Sequence, residues 1–200
     1  MLTQLATVKA RLNIAPADVS QDDLLMRAIE AVGARFEREC NRSFARTVGA
    51  MQEFPAASTE IIARCYPIET VTKFHLKTSE AEGWVEQTGT EYVVRQGCVI
   101  SLNTFLSFVA EGLFVGSALG RVTYTGGYVL PGTVPAAGQT ALPADLESAA
   151  VEQVAAWYQR RDKLGLIRHW PSGGTYLVFS QLPLLPEVSA VIRPYRRWSV

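Results

Sequence analysis

Apolar residues recur at helical spacing from Leu25 to Cys40, lose that period from about Thr47 to Tyr128, and regain it from Leu146 to Trp157. A helix with one apolar stripe must bury it against another element, and a strand must bury one of its two faces. The double switch therefore predicts helices on either side of a β-rich insertion. The expected class is α+β, mainly helical, with a three-helix core, a small antiparallel β-sheet insertion and an extended C-terminal tail.

The first helix is expected over about 4–12, with Thr3 as its cap and Leu5, Val8 and Leu12 on one face. Asn13 and Ala15-Pro16 stop it, since the residue before proline avoids the helical region. The second is expected over about 21–41. Ser20 and Asp23 resemble a capping box, Leu25, Ile29, Val32, Phe36 and Cys40 form the buried stripe, and Asn41 supplies a left-handed stop. Its other face carries Arg27, Glu30, Glu37 and Arg38. The third is expected over about 143–164. Pro143 suits a first turn, Asp145 and Glu147 favour the positive end of the dipole, and Arg160, Arg161 and Lys163 favour the negative end. Its stripe is Leu146, Ala150, Val154 and Trp157, and Gly165 ends it.

Between them, about 47–128, short β-rich runs appear at Glu60 to Arg64, Thr70 to Leu76, Tyr92 to Arg95, Val99 to Leu102 and Arg121 to Tyr124. Gln96-Gly97 reads as a hairpin turn, and Gly126-Gly127 ends the last run. No connection is long enough for a crossover helix, so the pairing should be antiparallel. Asn103 to Leu119 reads as a loop. Residues 1–165 are thus expected to form one core, and 166–200 a tail that docks on something else. The tail holds Leu182, Leu184, Leu185, Val188, Val191, Ile192, Tyr195 and Trp198 among prolines, too apolar for water and too broken for a core of its own.

Composition narrows the chemistry. The formal net charge is zero, with 19 basic and 19 acidic residues, so a protein that grips nucleic acid mainly through phosphates is not indicated. The second helix holds five acids (Asp22, Asp23, Glu30, Glu37, Glu39) and three bases (Arg27, Arg35, Arg38), unlike the basic recognition helix of a DNA-binding packaging adaptor. Cys40, Cys65 and Cys98 are widely spaced, with no CxxC or Cys/His cluster, so buried reduced thiols are expected and no metal site. No apolar run reaches the length of a membrane span. No GxSxG elbow, phosphate loop or dinucleotide fingerprint occurs. His75 lies in an alternating run and His169 beside Trp170; neither has an orienting partner in sequence, so both read as structural. The expectation is no enzyme and no cofactor.

In order along the chain, several segments resemble the head–tail connector (adaptor, or head-completion) family of tailed bacteriophages and phage-like particles. They are Leu2 to Leu12; Asp22-Asp23-Leu24-Leu25 through Asn41-Arg42-Ser43-Phe44; Tyr66-Pro67-Ile68-Glu69-Thr70-Val71-Thr72; Val122-Thr123-Tyr124-Thr125-Gly126-Gly127-Tyr128; Leu142-Pro143-Ala144-Asp145-Leu146 leading to Tyr158-Gln159-Arg160-Arg161-Asp162; and Leu182-Pro183 with Pro194-Tyr195-Arg196-Arg197. The resemblance implies a virion-neck protein, made in the host bacterial cytoplasm, that forms a closed, usually dodecameric ring below the portal. Such a ring joins the DNA-filled head to the tail and lines the DNA exit channel without sequence-specific contacts. Its partners would be further copies of itself, the portal protein and a tail-side stopper or tail-terminator protein; no membrane is implied. A stopper or terminator is the alternative within the class.

On that reading the tail residues Leu182, Leu184, Leu185, Val188, Val191, Ile192, Arg193, Tyr195, Arg196, Arg197 and Trp198 are expected to meet the portal. Arg27, Glu30 and Arg38 on the second helix, with Arg160 and Arg161 on the third, are the expected contacts between subunits.

Overall fold

The computed structural model describes residues 1–104, 118–161 and 184–197. They divide into two compact units: residues 1–40 with 142–161 and 184–196, and residues 41–104 with 118–141 and 197.

The first unit is helical. It contains α1 (Leu5–Arg11), α2 (Asp22–Cys40), α3 (Ala144–Gln159) and α4 (Pro186–Ile192), which runs on into a 3-10 turn, Arg193–Tyr195. The whole predicted stripe of α2, Leu25, Ile29, Val32, Phe36 and Cys40, is buried. On α3, Leu146, Ala150 and Val154 are buried and Trp157 is half-buried. The stop signals work as expected: Asn13 and Asn41 take positive φ, 56° and 49°. The start signals do not. Gln4, not Thr3, precedes α1 and makes no capping bond, and α2 begins at Asp22, one residue too late for Ser20 to cap it. Lys9 is almost wholly buried instead. Its ammonium donates to Asp18 O at 2.8 Å and pairs with Asp22 at 2.5 Å, holding the 16–18 turn to the start of α2.

The second unit is built of strands. One antiparallel sheet has the order β1-β7-β3-β4, from β1 (Thr47–Pro55), β7 (Leu119–Gly126), β3 (Ile68–Lys77) and β4 (Val85–Gln87). A second has the order β2-β6-β5, from β2 (Glu60–Ile62), β6 (Val99–Leu102) and β5 (Tyr92–Arg95). A short parallel pair, β8 (Tyr128–Val129) with β9 (Thr140–Ala141), completes the unit. Both larger sheets feed one core: Phe54, Phe74, Leu76, Val122 and Tyr124 from the first, Ile61, Ile100 and Leu102 from the second. Full burial of side chains of this size stabilises by about 1.5–3 kcal/mol each. The Gln96-Gly97 turn forms as read, with φ of 51° and 65°, and Cys98 N donates to Arg95 O at 3.1 Å across it.

Two glycines fix how closely the backbone of this unit packs. A Cβ on Gly126 would lie 2.5 Å from Cys65 O and 2.9 Å from Pro67 O. On Gly127, which has φ +105°, it would lie 2.5 Å from Ala45 O. Only glycine fits such approaches without a shift of main chain.

Two expectations need correction. The chain is α+β but not mainly helical, because strands nearly match helices among the described residues. The three-helix core has a fourth helix, α4, drawn from the predicted tail. Among the described residues, 184–196 belong to the helical unit, and 41–104 with 118–141 belong to the sheet unit. The end of the third helix beyond Arg161 and most of the 103–119 loop lie outside the described residues, as does His169.

Candidate interaction surfaces

The predicted portal-binding tail divides into buried and accessible residues. Val188 is 2% exposed and Ile192 is fully buried, both within the helical unit. The spacing 188, 191, 192 puts these groups on one helical face, and Pro186 stands at the first turn where a missing N–H costs nothing. That spacing was the signal for a helix. The prolines around it point to extended chain, and they obscure it. The buried amide of Gln153 on α3 accepts from Leu185 N at 2.8 Å, and Cys40 Sγ contacts Ile192 O at 3.5 Å. Val188 and Ile192 of α4 are therefore packed largely within the helical unit.

What α4 leaves open is a groove of about 470 Å³ beside α3. Ala149, Leu185, Val188 and Val191 line it with apolar surface, and Asp145, Glu152 and Glu187 stand around it. The acids come from the first turns of α3 and α4 and from the exposed side of α3. Asp145 accepts the Tyr195 hydroxyl at 2.9 Å, and Glu152 takes a two-pronged contact from Arg11 at 2.7 and 2.9 Å. That contact holds the Glu152 carboxyl below its usual range. The groove suits an apolar side chain carried next to a basic group.

The tail arginines go to different places. Arg193 is exposed. Arg196 reaches Glu39 at 3.3 Å. Arg197 belongs to the sheet unit and donates through Nε and Nη2 to Ile62 O, at 3.1 and 2.7 Å. Leu184 is half-buried, while Leu182 and Trp198 lie outside the described residues.

On α2, Arg27, Glu30 and Arg38 are all exposed, as the subunit-contact expectation requires of a free face. They share that face with Leu24, 44% exposed, and with the small residues Ala31 and Ala34. Arg160 is exposed beyond the end of α3. Arg161 folds back, donating to Tyr158 O at 2.9 Å with its guanidinium 4.2 Å from the Tyr158 ring centre.

Sequence reasoning missed a polar hub in the sheet unit. The Tyr124 hydroxyl, 1% exposed, accepts from Arg64 N and Cys65 N at 3.0 and 3.1 Å and lies 3.3 Å from Gln52 Oε1. Gln52 in turn donates to Ile62 O at 2.9 Å and accepts from Arg64 N at 2.8 Å. Burial pushes the Tyr124 hydroxyl above its ordinary value, so it stays protonated and can donate. Nearby, buried Arg42 lies 3.2 Å from the Tyr66 ring centre and donates to Tyr66 O. His75 sits half-buried on β3. Among the described residues no cluster of three or more His, Cys, Asp or Glu side chains could hold a metal ion, and no helix is long and apolar enough to cross a membrane.

This architecture has solved counterparts. The chain superposes on a protein from the neck of an empty gene transfer agent (GTA) particle computed with C6 symmetry, with a TM-score of 0.55 over 98% of this chain and 89% of that one, at 14% identity. It also matches a protein from the virion of a native gene transfer agent particle, with a TM-score of 0.52, the same coverage and 16% identity. The likeness is one of fold. No family model matches the chain, and no curated protein matches it in sequence.

Proposed function

We propose that the chain is a structural subunit of the neck of a tailed, phage-like particle, repeated as a ring around the axis through which DNA passes. The observation that carries this is the fold likeness to a gene transfer agent neck protein along 98% of the chain. The match runs over almost the whole of both chains and not over one shared domain. The order of the connector-like segments supports the same reading. So does the zero net charge, which suits a channel wall that must let DNA slide.

Within that class we favour the adaptor below the portal over a stopper or tail terminator. The favouring feature is the helical unit with its acid-edged groove, which offers a receptor for a basic, apolar segment of a neighbouring neck protein. The exposed face of α2 around Arg27, Glu30 and Arg38 is the proposed lateral contact. A closed ring needs two different faces to meet.

Negative-stain microscopy of the purified chain, alone and mixed with its particle's portal, tests the proposal. Closed rings, or a ring-shaped layer added to portals, are expected, and mass measurement gives the copy number. A chain that stays monomeric in both settings, or a substrate turned over at a rate that tracks with His75, would remove the neck reading. Arg38→Glu should weaken the ring, and an unaltered ring would take the α2 face out of the interface.

A further inference from the structure

The sheet unit contains a cleft of about 660 Å³ into which three arginines, Arg64, Arg121 and Arg197, project from separate segments. Met51, Gln52 and Glu53, consecutive on β1, line it together with Asn41. Successive residues of a strand point to opposite faces, so three in a row mark the cleft as running along the strand's edge. β1 is the outermost strand of its sheet, paired only with β7.

The charges in the cleft are unevenly matched. Arg121 is neutralised by Glu53, at 2.8 Å, and its guanidinium stacks 3.8 Å from the Trp84 ring centre. Arg64 is exposed and has no ion-pair partner among the described residues. Arg197 spends two donors on the carbonyl of Ile62, a neutral group. Its guanidinium is pulled below its ordinary value, first by burial and then by Arg64. Two like charges thus share one cleft whose carboxylate, Glu53, is already paired with Arg121, an arrangement that costs free energy in the isolated chain and is relieved by an anion from outside.

We propose that this cleft receives a carboxylate side chain from the helical unit of a second copy of the chain, and so forms one half of the contact that closes the ring. This rests on the neck-ring reading. Three features select the occupant. The helical unit presents acids with no ion-pair partner among its described residues: exposed Glu30 on α2, Glu147 in the first turn of α3 and Glu187 in the first turn of α4. A basic cleft on one unit and free acids on another are two different, complementary faces, as a heterologous ring contact demands. The cleft also carries Glu53 in its wall and exposed Met51 at its lip, 70% exposed, a combination suited to the methylenes and single charge of a glutamate. A nucleic-acid backbone would meet Glu53 with repeated negative charge.

The test is self-association of the full-length chain by mass photometry, with portals as nucleating template in a parallel series. Arg64→Glu should weaken ring formation tenfold or more, and Arg64→Gln should weaken it less. Arg64 is exposed, so circular dichroism of both variants should match wild type. In the Arg64→Glu background, reversing one acid at a time (Glu30→Arg, Glu147→Arg, Glu187→Arg) should restore rings in one case. Normal rings from Arg64→Glu would overturn the inference and leave the neck reading standing, as would failure of every reversal to rescue. Intact rings with weakened binding to duplex DNA would overturn it in favour of a phosphate site. Wild-type chain that never assembles, alone or on portals, would overturn both.

Discussion

The helical unit and the sheet unit are held together in different ways. In the helical unit, stability comes from apolar stripes at regular spacing: five residues of α2, three of α3, and Val188 with Ile192 of α4. In the sheet unit an apolar core is joined to contacts of another kind, the Tyr124–Gln52 hub and the near-touching backbones at Gly126 and Gly127. A stripe tolerates a conservative change of volume at modest cost, since neighbouring side chains can adjust. A backbone approach or a buried hydroxyl shared by two amides has no such slack. Regions of the second kind should therefore respond to changes of one or two atoms, whereas the first kind should respond to lost volume.

The largest effect is expected at the end of α4. Ile192→Ala deletes a fully buried branched side chain and should cost about 2–5 kcal/mol, read from urea unfolding of the full chain. An effect below about 0.5 kcal/mol would mean that α4 sits loosely on α2 and α3, and would restore a docking tail to consideration. For the sheet unit, Gly127→Ala places a Cβ against the Ala45 carbonyl at a positive φ and should cost about 1–3 kcal/mol. Ala31→Gly, on the exposed face of α2, serves as the control, with a cost near about 1 kcal/mol from propensity alone. Equal effects for the two changes would erase the contrast between the units.

The next test removes one oxygen. Tyr124→Phe keeps the ring in the core and takes away the acceptor for Arg64 N and Cys65 N. Arg64 N retains Gln52, so the loss falls mainly on Cys65, and a cost of about 1–2 kcal/mol is expected. The same hydroxyl predicts alkaline sensitivity. Its value is raised in the folded chain, so its contribution is complete below the ordinary tyrosine range and is lost as pH rises through the folded value. Thermal melts of wild type and Tyr124→Phe should converge at high pH; parallel melts would mean the hydroxyl is not the group responsible.

How much of this was legible in the sequence follows the same division. The stripe of α2 could be read residue by residue, because helical period and burial are one signal. Strands β5 and β6 were legible to the residue, since β-branched side chains flank a glycine turn. β1 was not: Thr47-Val48-Gly49-Ala50-Met51-Gln52-Glu53-Phe54-Pro55 has few β-branched residues, a glycine and a terminal proline, and becomes a strand because β7 pairs with it along its length. α4 was hidden by a proline, Pro186, that belongs at its start. The three-arginine cleft could not be read at all, because Arg64, Arg121 and Arg197 are far apart in sequence and meet only through the fold. The Gly126-Gly127 pair reads in sequence only as the end of a run, whereas the structure gives it a packing role.

The smallest effect concerns a surface pair that neither stripe nor hub explains. Arg11 of α1 and Glu152 of α3 form a two-pronged contact at 2.7 and 2.9 Å, and each side chain is 47% exposed. The hydrogen bond and charge of Arg11 lower the Glu152 carboxyl below its ordinary value. A carboxyl lowered on folding adds stability above its unfolded value and loses it as pH falls through the folded value. The pair should therefore contribute at neutral pH and vanish in acid. Exposure and salt reduce the contribution, since water competes for both groups and the ion atmosphere screens them. Glu152→Gln should lower the melting temperature slightly at neutral pH and low salt, and leave it unchanged at high salt or below the glutamate range. If the deficit instead persists in acid and in salt, Glu152 acts through packing beside the α3–α4 groove and not through its charge.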